Sequence, residues 1–271
     1  MQQTLIGLSF DDGRADTFLN GYPILKKYKL PATFNITTGF IKGEYRDFVN
    51  DWIKPMTIDM VKELYVDPAI EIAGHGYKHQ NDLNDIKQGI DELCKLLGTD
   101  NLYKDTNGFA SPGSGLTSEV FQQMRHSSNV HPISYARMSL RNQSHKMLKT
   151  IARKISRGIP TPFFYRYAYQ DTLMDTAPNG VLYSIPVLSS VTVNQLKAIL
   201  SEAIKTKKTC ILMFHSIVEK GNARDNWEYE VDKFDALCRF LKDKQDEGLL
   251  QVATSMDIVQ QLIVKSLRWK V

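Results

Sequence analysis

The sequence predicts an α/β chain of repeated β-α units around a parallel sheet or barrel, and three observations carry that prediction. Short apolar runs rich in β-branched and aromatic residues alternate with helix-like segments along the chain. Residues able to do chemistry fall where these runs end, the rim on which β/α barrels assemble their sites from separate loops. A chain of 271 residues with 42% hydrophobic content can bury one substantial core, and α/β barrels of this length routinely run as one domain. No low-complexity run, fixed-period repeat or Gly/Ser linker interrupts it, so one catalytic domain over 1–271 is expected.

In chain order, strands are predicted at TLIGLSF (4–10), ATFNIT (32–37), AIEIAG (69–74), NGFAS (107–111), PISYARM (132–138), VLYSIPVL (181–188), CILMFHSI (210–217) and LLQVAT (249–254). Helices are expected at 15–28, 57–65, 82–97, 117–125, 142–156, 192–206, 231–246 and 255–267. In 192–206, Leu196, Ile199, Leu200 and Ile204 recur at helical spacing and should pack on the barrel.

The net charge of +4 lies too near balance to require a nucleic-acid partner. Its distribution is uneven. Between Glu119 and Asp171 there is no acidic residue but nine basic ones: Arg125, Arg137, Arg141, Lys146, Lys149, Arg153, Lys154, Arg157 and Arg166. Such a run is either a solvated face or a surface for an anionic partner. Cys94, Cys210 and Cys238 stand far apart and read as core residues rather than a disulfide framework or thiolate site. MQQTLIGLSFDDG lacks the pattern of a signal peptide and no run reaches membrane-spanning length, so a cytoplasmic chain is expected.

The first strand ends in Ser9-Phe10-Asp11-Asp12-Gly13. Adjacent side chains point in different directions, so one carboxylate can face a metal while the other faces substrate. Two buried carboxylates also demand a cation or strong donors nearby. The plain alternative is an Asp-Gly turn before a helix. The third strand ends in Gly74-His75-Gly76-Tyr77-Lys78-His79, where histidines four apart would converge on one side of a helical turn and suit a divalent ion; alone, this spacing is as often structural. Taken together, Asp12, His75 and His79 offer one oxygen and two nitrogens with room for a water, as catalytic metal sites do. Asp11 then serves as general base. His215, presented from Leu212-Met213-Phe214-His215-Ser216, is the candidate general acid, although a lone strand-end histidine is more often structural.

These residues resemble the polysaccharide deacetylases of carbohydrate esterase family four, with the NodB-homology domain. The Thr/Ser-Phe-Asp-Asp-Gly motif stands at Ser9–Gly13, YPILKKYKLPATFNITTGFI continues the pattern, His-x-x-x-His stands at His75–His79, and the late leucine-and-histidine motif at Leu212–His215. The resemblance implies a distorted (β/α) barrel, often seven-stranded, a divalent ion such as Zn2+, Co2+ or Mn2+, and hydrolysis of N-acetyl or sometimes O-acetyl groups on glycans. By motif match Asp11 is the base, Asp12, His75 and His79 bind the metal and His215 is the acid. The chain departs from the pattern at Arg-x-Pro-Tyr, matched here by Ala110-Ser111-Pro112-Gly113. The family's arginine orients the catalytic aspartate, and the backbone N–H at the tyrosine position, Gly113 here, helps hold the oxyanion. Without the arginine, either another basic residue reaches Asp11, with Arg137 and Arg166 the candidates, or its pKa rises. The family's Asp/Trp motif has no clear match, and Trp227 is the residue placed to wall a sugar site.

Residues 142–158 read as a basic amphipathic helix, with Met147, Leu148, Ile151 and Ile155 on one side and Lys146, Lys149, Arg153, Lys154 and Arg157 around it. An ordinary helix covering the barrel is the favoured reading. Peripheral contact with an anionic membrane is the other, as it is for the similar terminus Lys265–Lys270. The substrate expected from these features is an acetylated glycan, or a lipid-linked or nucleotide-linked saccharide. A non-catalytic glycan-binding module and a different metallohydrolase are the competing functions.

Overall fold

The computed structural model describes residues 3–126, 132–140 and 146–268, without the side chains of 265–268. Seven parallel strands close into a barrel: β1 (Thr4–Phe10), β2 (Ala32–Ile36), β3 (Ile70–Gly74), β4 (Asn107–Ala110), β5 (Ile133–Ser139), β6 (Val181–Pro186) and β7 (Cys210–Phe214). Each pairs with the next, and β7 returns to β1 over Ile6–Phe10. The ring is uneven. β2 pairs only with Ser9 and Phe10 of β1, while β10 (Leu250–Val252) pairs with Thr4–Ile6. Ile6 is in register with both Val252 and Cys210, so β10 and β7 lie on opposite edges of β1. β2 and β10 therefore share one edge at different heights. This is the distorted barrel expected from the sequence.

The strands are continuous buried runs because both faces are covered. Outside lie α1 (Tyr22–Tyr28), α2 (Thr38–Ile41), α3 (Ile58–Val66), α4 (Leu83–Leu97), α5 (Ser118–Arg125), α6 (Lys146–Gly158), α7 (Pro162–Tyr169), α8 (Val193–Thr206) and α9 (Val231–Asp246). On α8, Leu196, Ile199 and Leu200 are fully buried as the periodicity predicted, and Thr192 and Gln195 form a reciprocal cap at its start. The three cysteines are free and buried.

Inside the barrel, alternation along β1 turns Leu5, Gly7, Ser9 and Asp11 to one side and Phe10 to the other. Phe10 stacks with Phe34 and Phe214 and meets Phe234 of α9 edge-on, which seals the outer layer. Inward, Leu5, Leu182 and Ile211 pack with Met256, Ile258 and Leu262 of α10 (Ser255–Arg268), which plugs the lower end. A Cβ at Gly7 would meet Ile211 and Ile258 at 3.0 Å, so the glycine makes room for the plug. Above it, the fully buried Glu71 accepts from Tyr135 Oη at 2.6 Å, Met256 N at 2.9 Å and Thr33 Oγ1 at 2.9 Å. The upper end is left for polar groups.

Two expectations are corrected. The run 210–217 is not one strand: it breaks at His215 into β7 and a short β8 (Ser216–Val218), which pairs with β9 (Glu228–Glu230). The second concerns the helix predicted over 142–156, whose residues 142–145 lie outside the described residues, as do Arg141 and the side chains of 265–271. α6 does not cover the barrel with its apolar stripe. It packs on α7, a helix not foreseen, and α7 packs on α8. The residues α6 buries are Lys149, Ala152 and Ser156, while Met147 is 73% exposed.

Candidate active site

β1 ends in the Asp11-Asp12-Gly13 turn, and the two carboxylates separate because Asp12 and Gly13 both take positive φ, 76° and 82°. Asp12 turns to the histidines: its Oδ1 lies 3.4 Å from His75 Nε2 and 3.5 Å from His79 Nε2. Its Oδ2 is held by Arg14, whose Nε donates at 2.8 Å, while Arg14 Nη1 donates to Ser216 Oγ at 3.1 Å. Burial pushes Asp12 upward, but the Arg14 guanidinium, with His75 close by, holds it well below the usual carboxylate range. Arg14 was not singled out in the sequence.

The histidines do not sit on a helical turn. Residues 75–80 form an irregular loop in which His79 has φ +57°. Asp85, near the start of α4, accepts from Tyr77 N, Lys78 N and Gln80 N at 3.1, 2.7 and 3.0 Å and so fixes the loop. A Cβ at Gly76 would stand 2.4 Å from Asp85 Oδ2, which is why glycine is needed there. His75 Nδ1 lies 2.8 Å from the Ala110 carbonyl oxygen; donating there fixes the tautomer and leaves Nε2 with its lone pair toward Asp12. His79 stacks on Phe48 at 4.2 Å. Burial lowers His79 to about 4, with His75 adding to the effect.

These three residues fit a divalent ion. Among the described residues they form the cluster of ligand atoms within 4.8 Å of one another. Asp12 Oδ1 is buried with no hydrogen-bond partner, a cost that a cation would relieve. One carboxylate oxygen and two imidazole nitrogens are a donor set suited to zinc and its neighbours.

Asp11 stands outside the set of three but close enough to feel the charge of His75 and His215. Arg137 Nη2 donates to both its oxygens at 2.6 Å, and Asn35 Nδ2 donates to Oδ1 at 2.8 Å. Arg137 stands in register with Ala110 on the neighbouring strand and is fully buried, so the missing guanidinium is supplied from β5 rather than β4. Arg166, the other sequence candidate, lies on α7, partly exposed, 3.7 Å from Glu202. Burial would raise Asp11, but Arg137, His75 and His215 outweigh it and the carboxyl is held below its ordinary value.

His215 follows β7 and lies against Trp227, ring centroids 4.3 Å apart. Its Nδ1 is buried without a partner among the described residues, and burial lowers the ring to about 4. Gly113 sits in a tight turn at φ +53°, with nothing within 4 Å of where a Cβ would stand. That turn is tied to the histidine loop by Asn81, whose Nδ2 donates to the Pro112 carbonyl at 2.7 Å.

Residues 1–128 match the family model described as polysaccharide deacetylase, the same resemblance the motifs carry. Solved structures similar over nearly the whole chain include a family 4 acetyl xylan esterase from Clostridium thermocellum in complex with a cobalt ion. It is 16% identical, with 95% of this chain and 91% of that one covered and a TM-score of 0.51. The peptidoglycan deacetylase PdaC from Bacillus subtilis is 17% identical, with 99% and 97% covered and a TM-score of 0.50. At these identities the likeness is one of fold. No curated protein matches the chain.

Proposed function

We propose that this chain, which carries the polysaccharide deacetylase pattern over residues 1–128, is a metal-dependent hydrolase that removes acetyl groups from amino sugars of a glycan or glycan precursor. The observation that carries the reading is the division of labour between adjacent carboxylates. Asp12 joins His75 and His79, whereas Asp11 is held by Arg137 and Asn35 outside that set. A binding module has no use for a free carboxylate so carefully ionised.

Asp12, His75 and His79 would hold the ion, which when bound supplies Lewis acidity to the acetyl carbonyl and lowers the pKa of water. Asp11, kept as a carboxylate by Arg137 and Asn35, accepts the proton of the attacking water. His215, lowered to about 4 by burial, rests neutral; as negative charge develops at the carbonyl oxygen it takes up a proton from solvent and passes that proton to the departing amine. The Gly113 N–H is the candidate backbone donor to that oxygen. Trp227, tilted against His215, walls the sugar side. Zinc is the expected ion, and the cobalt of the similar esterase structure keeps cobalt a candidate. That relative is named for an O-acetyl substrate, which makes ester hydrolysis the second reading.

Acetate release from matched N-acetylated and O-acetylated oligosaccharides tests the proposal. Release from the N-acetyl series by the wild type, and none by Asp11→Asn, is the expected result. Release from esters alone would shift the reading to an esterase. No release from any substrate by the metal-loaded chain would reduce it to a binding module.

A further inference from the structure

α6 is oriented the wrong way for a helix that only covers a barrel. The side chains it turns inward are Lys149, Ala152 and Ser156. Lys149 Nζ donates to the Tyr167 carbonyl at 2.5 Å and pairs with Asp171 at 3.2 Å, and the Ser156 carbonyl accepts from Gln195 Nε2 at 2.8 Å. The apolar residues turn outward: Met147 is 73% exposed, Leu148 50% and Ile151 45%, and Ile159 at 56% and Phe163 at 61% extend the patch. At about 100° per residue, Met147, Leu148, Ile151 and Ile155 occupy an arc of roughly 100°, with Lys146, Lys154 and Arg157 along its flank. No acidic residue occurs between Glu119 and Asp171.

We propose that α6 and the start of α7 form a docking face for an anionic lipid surface, with α6 lying in the plane of the interface. An exposed apolar arc bordered by cations is the design of an interfacial helix: the apolar side enters the acyl boundary while the cations meet acidic headgroups. A second copy of the chain fits less well, because pairing two such faces would bring like charges together. No helix among the described residues is long and apolar enough to cross a membrane, so the contact is peripheral. The chain leaves β5 at the end of the barrel where Asp11 and His75 lie, and Ser139 there bonds to Ser114 of the Gly113 turn. Lys149 near the start of α6 pairs with Asp171, just ahead of Met174, which bridges Thr209 at the foot of β7. Ser156 near its end bonds to Gln195 at the start of α8, above β6. The docking face therefore runs up the barrel wall, and its Ile159–Phe163 end lies on the side where the candidate site opens. The proposal does not depend on the deacetylase reading.

Flotation with phosphatidylcholine vesicles, with and without phosphatidylglycerol, tests it. The wild type floats with the anionic vesicles only, and added salt weakens the binding. Each basic residue near such a surface contributes about fivefold, so the Lys146→Glu/Lys154→Glu pair lowers binding by more than about 25-fold. Met147→Asp/Ile151→Asp abolishes flotation; these side chains are exposed, so its melting temperature matches the wild type. Failure of the wild type to float, or equal binding to neutral vesicles, overturns the proposal. So does a dimer in sedimentation that Met147→Asp/Ile151→Asp dissolves, which would assign the face to a second copy.

Discussion

Replacing Arg137 with alanine isolates the guanidinium that β5 lends to the site. In the wild type one nitrogen donates to both Asp11 oxygens at 2.6 Å, and both partners are almost wholly buried. A hydrogen bond to a charged group contributes about 1.5–3 kcal/mol, and stripping one partner from a buried pair costs about 3–5 kcal/mol because the remaining charge stays in a poor solvent. Part of that is relieved as Asp11 takes up a proton, which removes the base. We therefore expect kcat/KM for acetate release to fall by roughly 100-fold, about 3 kcal/mol in the transition state. The sign of the pH effect follows from the charge. Losing a cation raises the Asp11 pKa, so the acid limb of the kcat/KM profile moves to higher pH. Because Ala110 is the in-register neighbour of Arg137, Ala110→Arg in the Arg137→Ala background should recover a substantial part of the loss and return the acid limb. An Arg137→Ala protein that is folded by circular dichroism and keeps wild-type turnover and pH profile would refute the reasoning.

Other perturbations follow from the same geometry. Burial raises Glu71 to about 7 from an ordinary 4.5, so folding takes up a proton between these values; the stability it contributes is complete below about pH 4.5 and is lost as pH rises through 7, by about 3 kcal/mol at roughly 1.4 kcal/mol per unit. Urea melts from pH 4 to 8 should show that slope, and Glu71→Gln should flatten it. Asp85→Ala frees the Lys78 and Gln80 N–H groups of the histidine loop and leaves Tyr77 N only the Asp85 backbone carbonyl, and zinc affinity by calorimetry should fall about 10- to 100-fold with unchanged secondary structure. His215→Ala should lower kcat by about 100-fold with little change in KM, since the ring is placed for proton transfer, and steady-state kinetics on one N-acetylated oligosaccharide would check it.

The strands were legible because a strand buried on both faces shows as an uninterrupted apolar run, and β1 to β7 all begin or end within a few residues of their predicted limits. Asp11, Asp12, His75 and His215 stand where such runs end, and His79 follows in the loop beyond β3, so their gathering on one rim could be expected from the sequence. What the sequence could not choose was contact across strands. Arg137 and Arg166 were equal candidates until register put Arg137 beside Ala110. Arg14, Asn35 and Asp85 hold the site from a turn, a strand and a helix start, and no local pattern distinguishes them from ordinary polar residues. α6 shows the converse failure: helical periodicity locates an apolar face but does not say whether it points in or out. The signal that could have helped was Phe163 to Tyr169, the short aromatic helix that takes the covering position instead.

The central claim is that Asp12, His75 and His79 hold the ion that Asp11 needs for deacetylation. Acetate release by chelator-stripped protein, followed as zinc is added back, tests it most directly. Activity should return on saturation of one zinc per chain in the wild type, fail in Asp12→Ala for want of binding, and fail in Asp11→Asn although zinc still binds. Wild-type rates in the stripped protein, or in either variant, would contradict it.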